Sequence, residues 1–542
     1  MTTKLLTASI ASLSVAAGMA SQKPNIVIVY ADDISAREFP VYESSVWSPP
    51  EGGNTSDLSY RAKTPVMEEL AKKGILINTC WAAPLSSPSR AQMMTGRYAS
   101  TQKWWLNGDC GKYENPQTGK QETWPLFESS PLQLGRVAQM GGYATVWAGK
   151  TQMTYTDVSI DKYGFDEGCY TPGDLSNTSP YTDFKMTKVK GEAKAFKVED
   201  SGAIVNTYLQ TSYYWMPSVM IVNHPSLNQK NKMVAWPNTP EAKKEFGLNS
   251  YSADIEQDYV FDFMERKHAQ KQPFLVYHTT HLGHDAYNFI NPESESFWPE
   301  TPEVKWDGKK YIRTKPNITG DKGKYNTHNS LAKEGMHNHV NYIDYIIWRY
   351  TQKFEEMGIA DNTILIISAD NGTLRYGKGS PDRQKGLHVP LIIYAPCLEM
   401  PKKGAQDVLV NIADIMPTIA EIAGVEIPQD YNIDGVSLIP FLTTDKTTHR
   451  DWIYGYRSGQ QLIRGDKVML DGFDKWWDVS STPEDLISFK QIKDWNSVSA
   501  EHRKQKEELE AILPRFNNYA TEYNGPGGNG TPKFKNTIKQ NR

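Results

Sequence analysis

The fold of this chain is constrained most by several short, continuous apolar runs, each rich in β-branched residues. Runs of this kind are typical of strands that are buried on both faces of a sheet. Helical patterns lie between them: one spans 64–73 and stops at Gly74, and another spans 340–357. This alternation predicts an α/β fold in which helices sandwich a mostly parallel sheet. The apolar runs are 25–30, 143–147, 273–277, 363–368 and 389–394.

The length of the chain predicts more than one domain. Its 542 residues exceed what one hydrophobic core usually supports. We expect a large α/β domain over residues 21–440, interrupted at 170–258 by a polar, aromatic and irregular insertion. Short strand patterns and a charged helical pattern then favour a smaller C-terminal domain, built on an antiparallel sheet, over 441–524. The Gly- and Pro-rich residues 525–542 are expected to form a loose tail.

The first 20 residues have the pattern of an export signal. Lys4 precedes an apolar run, and small residues follow up to Ala20. No later stretch reaches the roughly 20 apolar residues that cross a bilayer, so no transmembrane segment is predicted. We therefore expect a periplasmic or secreted protein.

The charge balance bears on the possible partners of the protein. Lys and Arg number 59 against 63 Asp and Glu, giving a formal charge of −4. This balance argues against nucleic acid as a partner, because such a partner calls for a large basic surface. An anionic ligand must instead be met by a local cluster of Lys, Arg and His.

Two pairs of oxygen-bearing side chains directly follow two of the predicted strands. Asp32-Asp33 ends the first run, and Asp370-Asn371 ends the run at 363–368. Open α/β sheets bind ligands at the carboxyl ends of their strands, and such oxygens suit Ca²⁺ or Mg²⁺. Taken singly, each pair is equally compatible with a turn or a helix cap.

A second candidate site is the run Ser86-Ser87-Pro88-Ser89-Arg90, which continues to Thr95-Gly96-Arg97. It predicts a short helix with Ser87 as N-cap, Pro88 at the first helical position and Gly96 at the C-terminal end. Ser86 would then lie just outside the positive end of the helix dipole, with Arg90 able to reach the same place. On these residues alone, an ordinary capped surface helix remains an alternative.

This run closely resembles the signature of the type I, formylglycine-dependent sulfatases: Cys or Ser, any residue, Pro-Ser-Arg, then Thr-Gly-Arg. The resemblance implies an alkaline-phosphatase-like fold and hydrolysis of sulfate esters. It also implies that Ser86 is oxidised to formylglycine, whose hydrated form offers one hydroxyl for attack and a second for expelling the product. Serine at this position is similar to the bacterial serine type, modified by a sulfatase-maturating enzyme before export. An engineered Cys-to-Ser change would give the same letters.

The resemblance also assigns roles to the other candidate residues. It implies a calcium ion bound by both acidic pairs and in contact with the modified Ser86. It implies that Arg90 holds the nucleophile or the carboxylates, and that the lysines after Gly149 and Gly377 contact the sulfate. A histidine after the run 273–277 would serve the leaving group. The implied metal ligands are Asp32, Asp33, Ser86, Asp370 and Asn371, and the implied substrate contacts are Lys150, His281, His284 and Lys378.

The chain departs from the family pattern at two places. Where relatives read Gly-Lys-Trp-His, this chain reads Gly-Lys-Thr-Gln, so Gln152 stands at the position of the histidine. A glutamine cannot take a proton near neutral pH. We expect His281 to replace the missing base, with a metal-bound water or a substrate group as the alternative. Just before the run 389–394, residues 384–388 replace the Glu-Gly-Gly and Arg that relatives usually have. The resemblance therefore does not extend to the substrate-facing loop at this point.

The sequence favours a sulfated polysaccharide or oligosaccharide as substrate. Export, the long insertion and tryptophans that could stack on sugars support this interpretation. Two alternatives stay open: a phosphomonoester or phosphodiester hydrolase on the same fold, and a catalytically silent carbohydrate-binding relative. The candidate stacking residues are Trp104, Trp105, Trp215 and Trp298.

Overall fold

We describe the protein from a computed structural model. The signal-like residues 1–20 and the tail 525–542 lie outside the described residues, as do parts of the segment 170–258. The structure describes residues 23–49, 52–102, 104, 107, 112–115, 118–123, 125–153, 160–170, 184–189, 192–197, 204–208, 219–228, 230, 233–236, 251–284, 286, 301–314, 319–321, 324–326, 332–333, 335–457 and 459–516.

An 11-stranded sheet forms the centre of the molecule. Its strands are β1 Asn25–Ala31, β2 Ile75–Trp81, β3 Ala144–Gly149, β4 Glu167–Tyr170, β5 Val219–Val222, β6 Met233–Trp236, β7 Phe274–Thr279, β8 Thr363–Ala369, β9 His388–Val389, β10 Leu391–Tyr394 and β11 Gly404–Asn411. Their spatial order is β6-β5-β4-β3-β7-β1-β8-β10-β2-β9, and β11 pairs with β2.

The middle of this sheet is parallel and both of its ends are antiparallel. Strands β4, β3, β7, β1 and β8 pair in parallel, as do β2 and β11. Strand β10 runs antiparallel to β8 and to β2. The single run expected at 389–394 is two strands separated by Pro390, because proline has no N–H to donate to a neighbouring strand.

Helices pack against the sheet and bury its apolar residues. Residues 26–30 of β1 are 0% exposed, as expected for a strand covered on both faces. The longer helices are α1 Pro65–Lys73, α2 Ser86–Thr95, α3 Leu134–Met140, α4 Ser252–Ala269, α5 Met336–Glu356, α6 Ile415–Ala423 and α7 Ala500–Ile512. The predicted α/β class, with a mostly parallel sheet between helices, is confirmed.

The helix of the candidate signature begins earlier than predicted. Its first residue is Ser86 and its N-cap is Leu85, which makes no side-chain cap bond. Ser87 therefore lies inside the first turn, so its prediction as N-cap was wrong. The C-terminal end is as predicted, since Gly96 has the left-handed conformation with φ +65°.

The segment 170–258 is more ordered than its composition predicted. Three strands, Phe184–Val189, Glu192–Lys197 and Ile204–Tyr208, form an antiparallel sheet of their own. Strands β5 and β6 of the same segment extend the central sheet, and α4 begins near its end. The expectation of an irregular insertion was therefore wrong for these residues.

The C-terminal part contains the antiparallel sheet that the sequence predicted. Its five strands pair in chain order, and α7 packs against the third of them. Strand β11 of the central sheet contacts the first of them, so the two sheets adjoin. The strands are β12 Ile453–Arg457, β13 Gln460–Arg464, β14 Val468–Leu470, β15 Trp476–Asp478 and β16 Lys490–Gln491.

Shorter elements complete the described part of the chain. The short helices, including 3₁₀ turns, are Ala36–Glu38, Pro40–Tyr42, Leu58–Tyr60, Ala99–Gln102, Leu126–Ser129, Ile160–Tyr163, Ala360–Asn362, Ile412–Asp414, Ile439–Thr443, Trp495–Ser497 and Leu513–Phe516. The short strand pairs are Lys112–Glu114 with Gln121–Thr123, Thr301–Pro302 with Ala332–Lys333, Val304–Trp306 with Tyr311–Arg313, and Thr319–Asp321 with Lys324–Asn326.

Within the described ranges, no helix is both long and apolar enough to cross a membrane. Three cysteines in these ranges, Cys80, Cys169 and Cys397, are free thiols.

Candidate active site

The parallel pairing of β1 with β8 brings the two predicted acidic pairs together. Ala31 and Ala369 are register partners at the ends of these strands, so the residues that follow leave the sheet side by side. The carboxylates of Asp32, Asp33 and Asp370 each offer an oxygen within 4.8 Å of the others, and all three residues are buried. The structure therefore brings the carboxylates of the two pairs together.

Backbone and hydroxyl hydrogen bonds hold the two loops in register beyond the strands. The N–H of Asp33 donates to Oδ1 of Asp370 at 2.9 Å. Ser35 and Thr373 bond reciprocally, each backbone N–H donating to the other's hydroxyl oxygen at 3.0 and 2.9 Å. These cross-loop bonds fix the positions of the carboxylates before any ligand binds.

A third loop closes against Asp32 from the side of β7. The N–H of Asp32 donates to the carbonyl of Leu282 at 3.1 Å. Gly283 follows with φ +105°, and a Cβ there would lie 2.0 Å from the carbonyl oxygen of Asp32. Only glycine accommodates this close approach, which brings the neighbouring His281 and His284 to the edge of the carboxylate cluster.

Ser86 faces this cluster from the first residue of α2 and is fully buried. Its Oγ donates to Oδ1 of Asn371 at 2.9 Å, and Nδ2 of Asn371 donates to Oδ1 of Asp33 at 2.8 Å. The side chain therefore lies at the positive end of the helix dipole, where an attacking or developing anion is stabilised.

Arg90 lies one turn further along α2 and spans two carboxylates. Its Nη2 donates to Oδ2 of Asp370 at 2.9 Å and lies 3.4 Å from Oδ1 of Asp32. Both carboxylates and the arginine are 0% exposed. Of the two roles that the sequence left open for Arg90, the structure shows contact with the carboxylates.

Two lysines and a histidine also surround the carboxylates. Nζ of Lys150 donates to Oδ2 of Asp32, and Nζ of Lys378 donates to Oδ2 of Asp33 at 2.6 Å. Nε2 of His284 lies 3.9 Å from that same oxygen of Asp33. All the site residues predicted from the sequence therefore lie in or beside one buried cluster.

The charges of the cluster act on one another strongly. Burial favours the neutral carboxyl of Asp32, yet Lys150, His284 and Arg90 hold its pKa well below the usual range. For Asp370, burial and repulsion from Asp32 raise the pKa to about 6. A bound divalent cation would favour the ionised form of every carboxylate here.

The donor set fits a hard cation. It offers carboxylate, amide and hydroxyl oxygens, which are the ligand types that Ca²⁺ and Mg²⁺ prefer. Oδ1 of Asp32 is buried and accepts no hydrogen bond from any described residue; its nearest printed contact is the ion pair with Nη2 of Arg90 at 3.4 Å. This oxygen therefore has capacity left for a further ligand.

The position of the missing family histidine is unusual. Gln152 has φ +48°, a left-handed conformation that non-glycine residues rarely adopt. Its Oε1 is buried and receives no hydrogen bond from the described residues. Because an amide does not accept a proton near pH 7, Gln152 contributes no base to this site.

His281 is the residue that the sequence analysis proposes to replace that base. It is 2% exposed, and its Nδ1 lies 4.0 Å from Oε1 of Glu256. Burial and the adjacent charges of Lys150 and Arg90 lower the pKa of His281 well below its usual value. The imidazole is therefore neutral near pH 7 and carries a lone pair, although the same burial and charges make it a weaker base than a free histidine.

Glu256 is a site residue that the sequence analysis missed. It is 1% exposed on α4, and its carboxylate lies within 4.0 Å of both His281 and His278. The same side chain is close to Gly149, where a Cβ would lie 3.3 Å from Oε2. A glutamate in a helical pattern normally faces solvent, so nothing in the sequence distinguished this one.

The aromatic residues proposed for sugar stacking are not supported by the described structure. Trp104 is 1% exposed and belongs to the hydrophobic core. The remaining three tryptophans of that prediction lie outside the described residues.

Solved structures share the architecture described above. Ps i-CgsB superimposes with a TM-score of 0.60 at 18% identity, covering 93% of this chain and 96% of that protein. A protein solved with its substrate D-glucosamine-2-N,6-O-disulfate superimposes with a TM-score of 0.55, also at 18% identity, covering 93% and 100% of the two chains. At these identities the likeness concerns the fold alone: a large, mostly parallel central sheet between helices and a C-terminal antiparallel sheet.

Sequence comparison defines the family within that fold. The sulfatase family profile matches residues 24–425, and the chain belongs to the formylglycine-dependent sulfatases. An N-acetylglucosamine-6-O-sulfatase of Bacteroides thetaiotaomicron is 24% identical over 537 aligned residues, covering 91% of this chain and 86% of the relative. The protein is a sulfuric ester hydrolase.

Proposed function

We propose that this chain is an exported sulfatase that removes sulfate esters from a sulfated carbohydrate, using formylglycine at position 86 and a calcium ion. The observation that carries the proposal is the placement of Ser86 at the positive end of α2, bonded to Asn371 beside three buried carboxylates. A nucleophile, a cation site and several N–H donors meet there within one enclosed cluster.

The carbohydrate part of the proposal is supported by the relatives. The matched relative of Bacteroides thetaiotaomicron is named for a sulfated amino sugar, and one solved structural neighbour contains a disulfated glucosamine. The sequence alignment with the first covers 91% of this chain and the superposition with the second covers 93%, which supports the same substrate class.

The metal would be held by Asp32, Asp33, Asp370 and Asn371 together with the residue at position 86. Calcium supplies Lewis-acid polarisation of the sulfate ester and favours the ionised nucleophile. Formylglycine supplies a hydrated aldehyde in place of a hydroxyl that is weakly nucleophilic by itself.

The remaining steps belong to the side chains of this protein. Lys150 and Lys378 each use one ammonium N–H on a carboxylate, which leaves further donors for sulfate oxygens. His284 lies at the edge of the cluster and protonates the leaving sugar oxygen, while His281 accepts the proton released when sulfate is expelled. Arg90 keeps the carboxylates in place and offsets their charge.

The substrate class is tested by measuring sulfate release from a panel of esters. The panel holds N-acetylglucosamine-6-O-sulfate, D-glucosamine-2-N,6-O-disulfate, sulfated oligosaccharides, an aryl sulfate and the matching phosphate esters. We expect kcat/KM on the best saccharide to exceed that on the aryl sulfate at least about tenfold, because neighbouring sugar contacts orient the ester. Faster release of phosphate than of sulfate would support the phosphoester hydrolase alternative instead.

The modification of Ser86 is tested by mass spectrometry of the tryptic peptide. Protein made together with a serine-type maturating enzyme should show this peptide lacking two hydrogens and reacting with an aldehyde probe. Ser86→Ala should abolish both signals and turnover, while Ser87→Ala should retain the aldehyde. Full sulfatase activity in protein whose Ser86 is entirely unmodified would contradict the formylglycine assignment.

Calcium binding is tested by titration calorimetry on the metal-stripped protein. We expect Asp32→Ala and Asp370→Ala to lose calcium binding and turnover together, because each leaves an undercoordinated ion and unpaired buried charges. Asp361→Ala, at an exposed position just before β8, should behave as the wild type. A stripped protein with undiminished turnover would rule out the metal.

The division of roles between the two histidines is tested by single-turnover experiments with intact-protein mass spectrometry. His281→Ala should release the sugar product but leave sulfate on the protein, since no base assists its expulsion. His284→Ala should instead slow release of the sugar alcohol. Wild-type turnover by His281→Ala, without retained sulfate, would exclude His281 as the base.

A further inference from the structure

The loop that carries Lys378 is a compact unit between β8 and β9. We define the Lys378 loop as residues 372–387. The N–H of Gly372 donates to the carbonyl of Gly386 at 3.0 Å and closes its base. The backbone N–H of Lys378 donates to the carbonyl of Thr373, also at 3.0 Å. The placement of the Lys378 ammonium therefore depends on the position of this loop as a whole.

The Lys378 loop lies directly on the C-terminal antiparallel sheet. Nε of Arg457, at the end of β12, donates to the carbonyl of Gly379 at 2.8 Å. The N–H of Gly472 donates to the carbonyl of Pro381 at 3.0 Å. The packing is tight as well, because a Cβ on Gly455 would lie 1.9 Å from the Leu387 side chain.

Gln384 is the side chain through which this loop is held from several directions. It is 2% exposed. Its Oε1 accepts from a guanidinium N–H of Arg464 on β13 and from the indole N–H of Trp81 on β2, the latter at 3.2 Å. Its Nε2 donates to the carbonyl of Leu486 at 2.8 Å. One amide thus joins the loop, the central sheet and the C-terminal sheet.

Arg464 is an unusual partner for a neutral amide. Its side chain is buried at 5% exposure, and no acidic residue in the described ranges forms an ion pair with it. Its Nε also lacks an acceptor there, and burial lowers the pKa of Arg464 to about 10. A buried cation without a counter-ion costs folding free energy, so stability alone does not account for this residue.

We propose that Arg464, acting through Gln384, is a positioning residue that fixes the Lys378 loop and thereby sets the Lys378 ammonium against the sulfate. The inference rests on the proposed function for the role of Lys378, but the rigidity of the loop can be measured separately.

The test compares Arg464→Met, Arg464→Lys, Gln384→Met and the Arg464/Gln384 double methionine variant with the wild type. Arg503→Met serves as the matched control, because Arg503 is exposed on α7 of the same domain and donates only to nearby backbone carbonyls. The measurements are amide hydrogen exchange in peptides covering 372–387, melting temperature, inhibition by inorganic sulfate, and KM and kcat on the best substrate.

We expect Arg464→Met to speed amide exchange in the Lys378 loop. It should also raise the inhibition constant for inorganic sulfate and the KM about tenfold, with a smaller change in kcat. Its melting temperature should not fall, since the variant removes an unpaired buried charge while Trp81 still bonds Gln384. The exchange rate, sulfate inhibition and KM of Arg464→Lys should lie between those of Arg464→Met and the wild type. The double variant should show no faster loop exchange and no higher KM than the more affected single variant, because the two residues act as one link.

Unchanged loop exchange in a folded Arg464→Met would overturn the inference, as would a lower melting temperature with unaltered KM and sulfate inhibition. If the wild type releases no sulfate from any ester, the proposed function fails. The exchange measurement then still decides whether Arg464 and Gln384 hold the loop.

Discussion

The concentration of negative charge at the ends of β1 and β8 is the constraint on which the rest of the site depends. Three carboxylates lie within 4.8 Å of one another with no exposure to water. Such a cluster is stable only if cations meet it, because like charges in a buried site repel strongly. Arg90, Lys150 and Lys378 meet it from three separate segments. The need for charge balance therefore joins distant parts of the chain at one point.

Much of this site could be predicted because its residues follow recognisable strands. Asp32 and Asp370 each come directly after an apolar run, and parallel strands place such ends at one edge of a sheet. The signature around Ser86 and its family resemblance pointed to Ser86 and the two lysines, which the structure places beside the carboxylates. The structure adds which carboxylate each cation contacts, and that pairing depends on side-chain reach rather than on sequence spacing.

The residues that escaped prediction act at long range or through tertiary contacts. Glu256 faces the histidines because α4 turns it toward β7, and its sequence neighbourhood resembles any partly polar helix. The bond between Arg464 and Gln384 joins residues 80 positions apart. The N-cap was misassigned by two residues, Ser87 instead of Leu85, which is within the usual uncertainty of helix ends. Strands β5 and β6 were missed because each apolar run is only four residues long and lies within a polar segment. The three strands between 184 and 208 were missed because they pair only with one another and carry many polar residues.

The burial of Ser86 has a consequence for the order of events in the life of the protein. Its side chain is 0% exposed, at the start of a helix whose ten residues are all buried. An enzyme that oxidises this residue must reach its side chain, and the folded chain does not expose it. The proposed oxidation must therefore be complete before the domain folds. A molecule that folds with serine still at position 86 cannot be oxidised there unless it unfolds again.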